Sequence, residues 1–450
     1  MKLPMPGPVR DLLEGVRSRN LTGRFGRDAA GTLALRVTFA VCYGVANIFL
    51  ARILGTADYG SYTFAAAWLT LLGIPTVLGM DRFLVREVAT YSVQGAWGQM
   101  RGLLRQSNAH VLALSVTTAL LAAAVAWFIP WHSSSTMQVS LWIALIALPF
   151  YSLKRAQQAA LQGLQHVIAG ALPEMLITPA VLVVAIVLGW RILRSFRAPS
   201  AVAMLVLAHA IGFLFAIWLL RHFLPGAART VTAVPVKLPW ARSLFPLVFL
   251  SSVNVIYAQA DLIALGALKG ARAVGFYGVA DRNAELVNFL LIAVSLPLAP
   301  AVATIYALGD MQRLQVAVTK VVRVTFFLSL PVAAAFILFG YWWLLLLYGA
   351  DFTQGRWPLA ILSAGQLATA WTGPAAVLLT MTGHERDAAR AIFVSAAVNV
   401  ILCLALIPQW GPEGAAVAAA SSAAVWSMLL VKAVRNRLGI RVSAFGATAV

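Results

Sequence analysis

The chain has 450 residues, 61% of them hydrophobic and only 11% charged, with a formal net charge of +19 and a mean hydropathy of +0.84. Soluble domains run nearer half apolar and about a quarter charged, so a soluble enzyme is excluded, as is a disordered chain, which needs low hydrophobicity. The surplus apolar surface requires a bilayer. At about 20 residues per span the length allows about ten to fourteen transmembrane helices, and apolar runs this long exclude a membrane β-barrel.

Residues 1–28 are expected to form a cytoplasmic segment. Within it Val9, Leu12, Leu13 and Val16 recur at helical spacing, with Arg10, Arg17 and Arg19 off that stripe, a pattern suited to a helix lying on an anionic membrane surface. Charges run throughout the segment and no small-residue cleavage pattern follows, which excludes a signal peptide. Twelve spans follow, at about 29–50, 60–80, 107–129, 138–160, 169–189, 201–220, 244–266, 276–302, 321–340, 357–380, 388–407 and 413–431. They group as an N-terminal six-helix bundle (29–220), a cytoplasmic linker (221–243), a C-terminal six-helix bundle (244–437) and a tail (438–450). The expected fold is therefore all-α and polytopic, with two pseudo-symmetric bundles around a central cavity.

Basic residues collect at the cytoplasmic ends of membrane helices. With the N-terminus inside, the inner segments hold 25 Lys and Arg, Lys154 and Arg155 among them, and the outer segments 7, while Arg36 and Arg282 fall inside spans. The bias puts both termini in the cytoplasm and accounts for the charge without any nucleic acid. Cys42 and Cys403 lie in apolar runs, the six histidines lack ligand spacing, and no P-loop is present, so neither a metal site nor a nucleotide site is expected.

The linker carries Pro225, Pro235 and Pro239 and divides the spans six and six, which prompts a search for duplication. Asp58-Tyr59-Gly60-Ser61-Tyr62 matches Ala273-Val274-Gly275-Phe276-Tyr277 at an offset of 215, and Gly163-Leu164-Gln165-His166 matches Gly383-His384-Glu385-Arg386 at 220. Six spans is an even number, so the halves share one orientation.

Charged side chains in mid-helix are costly in lipid and normally face a cavity or a partner. Arg36, Tyr43 and Asn47 share one face of span one. Span seven repeats the device with Ser251, Asn254, Tyr257 and Asp261, and span eight opens with Asp281, Arg282, Glu285 and Asn288. If the halves pack about a pseudo-twofold axis, these faces line one cavity. Glu174, between Pro173 and Pro179 in span five, reads either as a gate or as a partner of a helix N-terminus.

Residues 51–62, Gly79 to Ala89, Asp261 and the Val274–Arg282 segment resemble polysaccharide and O-antigen flippases of the multidrug/oligosaccharidyl-lipid/polysaccharide exporter superfamily. The resemblance covers essentially the whole chain through short motifs. It implies a bacterial inner-membrane protein that moves an undecaprenyl-diphosphate-linked oligosaccharide outward by alternating access, with membrane lipids and other polysaccharide-assembly proteins as partners. It implies no cofactor beyond a coupling proton or sodium ion. By position, Arg36 and Arg282 would meet the diphosphate, with Tyr43, Asn47, Asn254, Tyr257, Asp261, Asp281 and Glu285 as further cavity residues. An ion-coupled multidrug exporter of the same superfamily is the alternative, and a membrane-embedded polysaccharide polymerase a more distant one.

Overall fold

The computed structural model describes residues 19–128, 135–193, 195–236 and 245–442. The amphipathic segment around Val9–Val16, part of the linker and the end of the tail lie outside them, and the Ser251 side chain is likewise outside what is described. Among the described residues the protein is all helix, a polytopic fold of two pseudo-symmetric six-helix bundles. Seven described stretches are long and apolar enough to cross a membrane. Two of these, in Arg19–Val77 and Glu385–Leu438, are pairs of spans joined at a single non-helical residue, Gly55 and Gly411. Three further elements, Phe245–Lys269, Ala271–Ala307 and the broken pair Arg356–Thr372 and Ala375–Met381, complete twelve.

The duplication is visible in the backbone. Spans one and two turn at Gly55 (φ 71°, ψ 178°), and spans seven and eight turn at Gly270 (φ 81°, ψ −178°). The two glycines stand at the offset of 215 read from the sequence, in a left-handed conformation that side-chain-bearing residues avoid. The second sequence match is out of register by two residues. The residues in left-handed conformation are Gln165 and Gly383, and the N–H groups of His166 and His384 each reach five residues back, to Leu161 and Leu379. The structural equivalence is thus His166 with His384. Gly163 is a glycine for another reason: a Cβ there would stand 2.8 Å from the Val88 Cβ in the helix that continues span two.

The ends of the molecule differ. At the end away from the termini, buried residues of both bundles merge into one core, including Tyr59, Phe64, Met137, Leu205, Leu262, Tyr277, Leu344 and Ile407. At the basic end the bundles keep separate cores, around Phe83, Leu103 and Leu161 in the first, and Val318, Leu378 and Val434 in the second. The joint is a reciprocal helix crossing. A Cβ on Gly60 would fall 1.7 Å from the Ala271 carbonyl oxygen, and one on Gly275 would fall 2.1 Å from that of Thr56. Thr56 and Gly60 are related to Ala271 and Gly275 by the same 215 residues, so the contact is self-complementary, as a twofold relation demands. In lipid no hydrophobic force joins helices, and small residues that let backbones approach supply the packing instead. Arg52 adds a latch, donating through Nε to the Leu347 carbonyl at 2.7 Å and through Nη2 to that of Leu346, at the C-terminal end of span nine. The halves share a core at one end and keep separate cores at the other.

Candidate functional site

The polar residues of spans one and eight meet where the joint core ends. The Arg282 guanidinium stands 5.6 Å from the centre of the Tyr43 ring, a contact from one bundle to the other, and lies 3.6 Å from a Glu285 carboxylate oxygen one turn along. Such stacking neutralises nothing, but it orients a planar cation. Glu285 is the most exposed of the group, at 56% of its side chain, and half-buried Asp281 lies within electrostatic reach of Glu285, Asp261 and Arg282. Beneath this layer the Tyr59 hydroxyl donates to Asn47 Oδ1 at 3.1 Å, and Asn47 donates to the Tyr43 carbonyl at 2.7 Å. Tyr59 appeared in the sequence only as part of a repeat motif, and its role as a strut for Asn47 was not anticipated.

The remaining candidates divide. Arg36 lies on the Tyr43–Asn47 face of span one, seven residues toward the basic end, or about 10 Å by helical rise. Its Nε is buried and has no hydrogen-bond partner. Gly31, five residues earlier on the same helix, packs against Ile168 of span five. Asp261 is 6% exposed and sealed in the joint core, accepting from the Tyr277 hydroxyl and from the Leu262 N–H at 2.8 Å. Tyr257 turns into its own bundle, its ring 6.5 Å from that of Trp426 and its carbonyl bonded by Asn399 at 3.3 Å. Asn254 is exposed on the same helix, three residues nearer the basic end. Asn288 pairs with Gln366 of span ten. The faces of spans one and eight therefore meet, while the polar residues of span seven disperse: Asp261 into the joint core, Tyr257 into the second bundle, and Asn254 to an exposed position.

A second cluster corrects the sequence reading. Lys154, counted among the loop cations, is fully buried within span four, nine residues before that helix ends. Its removal from the tally leaves the charge bias intact. An ammonium has three donors and no acceptor, and all three of Lys154 are used. It pairs with Glu174, donates to Thr178 Oγ1 at 2.9 Å and donates to His209 Nδ1 at 3.0 Å. Because Lys154 can only donate, His209 accepts through Nδ1 and is a neutral imidazole carrying its proton on Nε2. The local sequence builds this arrangement. Span five opens into one wide π-turn over Pro173–Ile177, where the Thr178 N–H and hydroxyl both reach the Pro173 carbonyl. Gly212 on span six leaves room for the lysine, since a Cβ there would lie 3.3 Å from Lys154 Cδ and 2.5 Å from Thr178 Oγ1. The polar seam continues through Tyr151, edge-on to His209 at 5.4 Å, to Arg155 and then to Asp81, 3.7 Å from Arg155. Of the two readings of Glu174, the structure favours neither a bare gate nor a helix-terminus partner: it is the counter-ion of Lys154. Among the described residues no group of three or more His, Cys, Asp or Glu stands at metal-binding spacing.

These features define a class, a two-bundle helical membrane protein whose halves are joined at one end. Comparison with known proteins agrees. Residues 44–305 match the polysaccharide biosynthesis protein family, which is more than half of the chain, and the protein belongs to that family. Residues 246–405 also match MatE. A probable low-salt glycan biosynthesis flippase, Agl15 of Haloferax volcanii, is 27% identical over 193 residues, covering 42% of this chain. The chain spans only 41% of that relative's length in the match. Among solved structures, an inward-facing MATE-family multidrug resistance transporter of the MOP superfamily superposes with a TM-score of 0.71 at 13% identity, covering 90% of this chain and 98% of its own. The lipid II flippase MurJ in an inward closed conformation also gives 0.71, at 14% identity over 91% of this chain and 87% of its own. A MOP-superfamily transporter from Pyrococcus furiosus gives 0.63 at 13% identity, covering 92% and 95%. At such identities the structures share the fold. The protein is a multi-pass membrane protein of the polysaccharide biosynthesis protein family.

Proposed function

We propose that the chain moves a lipid-linked oligosaccharide, built on undecaprenyl diphosphate, across the bacterial cytoplasmic membrane by alternating access, with both termini cytoplasmic. One observation carries the reading: Arg282 of the second bundle is seated on Tyr43 of the first, and Arg36 continues the same face toward the basic end. Two cations thus lie on the way to the end where the bundles keep separate cores, and Arg36 has an unpaired buried Nε. A diphosphate offers the planar, bidentate acceptor that guanidinium groups match, and such charge-assisted bonds are roughly twice as strong as neutral ones. The glycan flippase relative and the polysaccharide family support this cargo class. Glu285 and Asp281 beside Arg282 favour the second reading, an exporter of cationic molecules by the same motion.

Complementation of a flippase-deficient strain separates the two. Arg36→Lys and Arg282→Lys should restore polysaccharide export in part, and the alanine variants less, at matched membrane levels. Full export from both alanine variants would end the diphosphate assignment. Failure of the wild type itself to restore export, together with resistance to a cationic compound that Glu285→Gln abolishes, would favour the cation exporter.

A further inference from the structure

We propose that a groove on the flank of the second bundle, between spans nine, ten and twelve, is a binding site for an anionic phospholipid of the leaflet at the basic end. The groove encloses about 960 Å³, with Phe326 of span nine, Leu367 and Trp371 of span ten and Met428 of span twelve along its wall. Trp371 and Met428 are 38% and 70% exposed, so the groove is open on one side. Along span twelve its lining runs from Ala424 to Arg435, about 16 Å of helix. Half of a bilayer's hydrocarbon core is about 15 Å thick, so the groove accommodates the acyl chains of one leaflet.

Two observations identify the headgroup. Lys432 and Arg435 line the basic end of the groove, are exposed, and have no ion-pair partner among the described residues. Asp387, at the start of span eleven and sharing a neighbouring pocket with Lys432, is already committed, since it accepts from Arg437 at 2.8 Å and lies 3.8 Å from Arg390. The second observation is Ser427. Its hydroxyl is buried, at 3% residue exposure, lines the groove and has no hydrogen-bond partner. An orphaned hydroxyl in an apolar wall calls for an acceptor from the occupant, and the glycerol ester carbonyls of a phospholipid sit between its phosphate and its acyl chains. None of the residues around Arg282, Tyr43 or Arg36 lines this groove. A cargo shared between the bundles must touch both, whereas this site belongs to one bundle. The occupant is therefore a resident lipid, and the site exists whether or not the proposed cargo is right.

Trp371 provides the probe. The full chain is reconstituted in phosphatidylcholine bilayers containing equal fractions of brominated phosphatidylglycerol or brominated phosphatidylcholine, and the Trp371 signal is taken as wild type minus Trp371→Phe. A basic residue near an anionic lipid surface is worth about fivefold in affinity, so Lys432 and Arg435 together predict roughly a thirtyfold preference for phosphatidylglycerol. That preference should vanish in Lys432→Gln/Arg435→Gln. Native mass spectrometry of the same proteins, which needs no tryptophan substitution, should show phosphatidylglycerol retained by the wild type and lost from the double variant. Equal quenching by the two lipids in the wild type, or an unchanged preference in the double variant, overturns the proposal. Added undecaprenyl diphosphate should leave the quenching unaltered. Relief of quenching at stoichiometric amounts would assign the groove to the transported carrier and overturn the resident-lipid reading.

Discussion

Breaking the buried ion pair of the first bundle should cost different amounts according to which partner is removed. Lys154 is 0% exposed, whereas 34% of the Glu174 side chain is exposed. Removing one partner of a buried pair costs about 3–5 kcal/mol, because the other charge is left uncompensated. Lys154→Met strands a carboxylate on a side chain that is one-third exposed, with only its Oε2 enclosed, so its cost sits at the low end, about 3 kcal/mol. Glu174→Leu strands a fully enclosed ammonium, with Thr178 and His209 as its remaining acceptors, and belongs at the upper end, about 5 kcal/mol. In a unit of this size 1 kcal/mol moves the melting temperature by about 2–4 °C, so the expected losses are about 6–12 °C and 10–20 °C. The double variant Lys154→Met/Glu174→Leu removes both charges and should lie above either single variant, since a well-packed apolar replacement of a buried pair is often neutral. Thermal unfolding followed by tryptophan fluorescence in one detergent reads all four proteins. A double variant less stable than both singles, or Lys154→Met costing more than Glu174→Leu, would refute the account.

Gly60→Val should disfavour the closed joint, because even a Cβ overlaps the Ala271 carbonyl; spin-label distances across that end should lengthen, while Gly44→Ala, with nothing within 4 Å of the added carbon, should leave them unchanged. Arg52→Ala removes two charge-assisted bonds to the end of span nine, each worth about 1.5–3 kcal/mol at most and less at an exposed site, and should lengthen the same distances, with Arg52→Lys intermediate. At the basic end, hydrogen bonding from Arg437 holds the Asp387 carboxyl below its ordinary value. A depressed carboxylate stabilises the fold above its unfolded value of about 3.9 and loses that contribution as pH falls through the lower folded value. Asp387→Asn should therefore melt below the wild type at neutral pH and coincide with it in strong acid.

The class of fold was readable because membrane spans are written in the sequence as length: a run of apolar residues long enough to cross lipid needs no tertiary information. The repeat was readable at Gly60 and Gly275 for a related reason, since a close crossing of backbones tolerates only glycine at those points. The second match slipped by two residues because it followed a glycine. In the first half the left-handed position is held by Gln165, and the nearby Gly163 serves helix packing. Lys154 was misread because it adjoins Arg155 near the end of an apolar run, where a cation normally marks the interface. Its partners, Glu174 and His209, lie 20 and 55 residues further on in other spans. Helical periodicity says which residues share a face of one helix and nothing about which helix that face meets. The available signal was Glu174 itself, a carboxylate between two prolines inside an apolar span, which demanded a cation. The same limit separates Asp261 from Arg282: sequence placed both on polar faces, and only the packing shows that Tyr277 encloses the first while the second reaches Tyr43.

The distribution of the cores says where motion between the halves must be accommodated. At the basic end each bundle already has its own core, so separation there exposes little that was buried. At the opposite end one core is shared, and opening it would pull Phe64 from Gly266 and release both glycine crossings and the Arg52 bonds. In lipid the lost packing is not replaced by a hydrophobic penalty, so the barrier rests largely on those close backbone contacts and on two carbonyls at the end of span nine. Such contacts are few and discrete, which suits a bistable joint better than a continuous apolar seam. On the proposed reading, a cargo that pairs with Arg36 and Arg282 supplies the differential free energy between the two arrangements, because a ligand can shift an equilibrium only by binding its states unequally. Arg282 is seated on Tyr43 of the first bundle while its ion-pair partner Glu285 is on its own helix. Opening the far end changes the first contact and spares the second. The interbundle pair Tyr43–Arg282 is thus the element through which cargo charge can be felt at the joint.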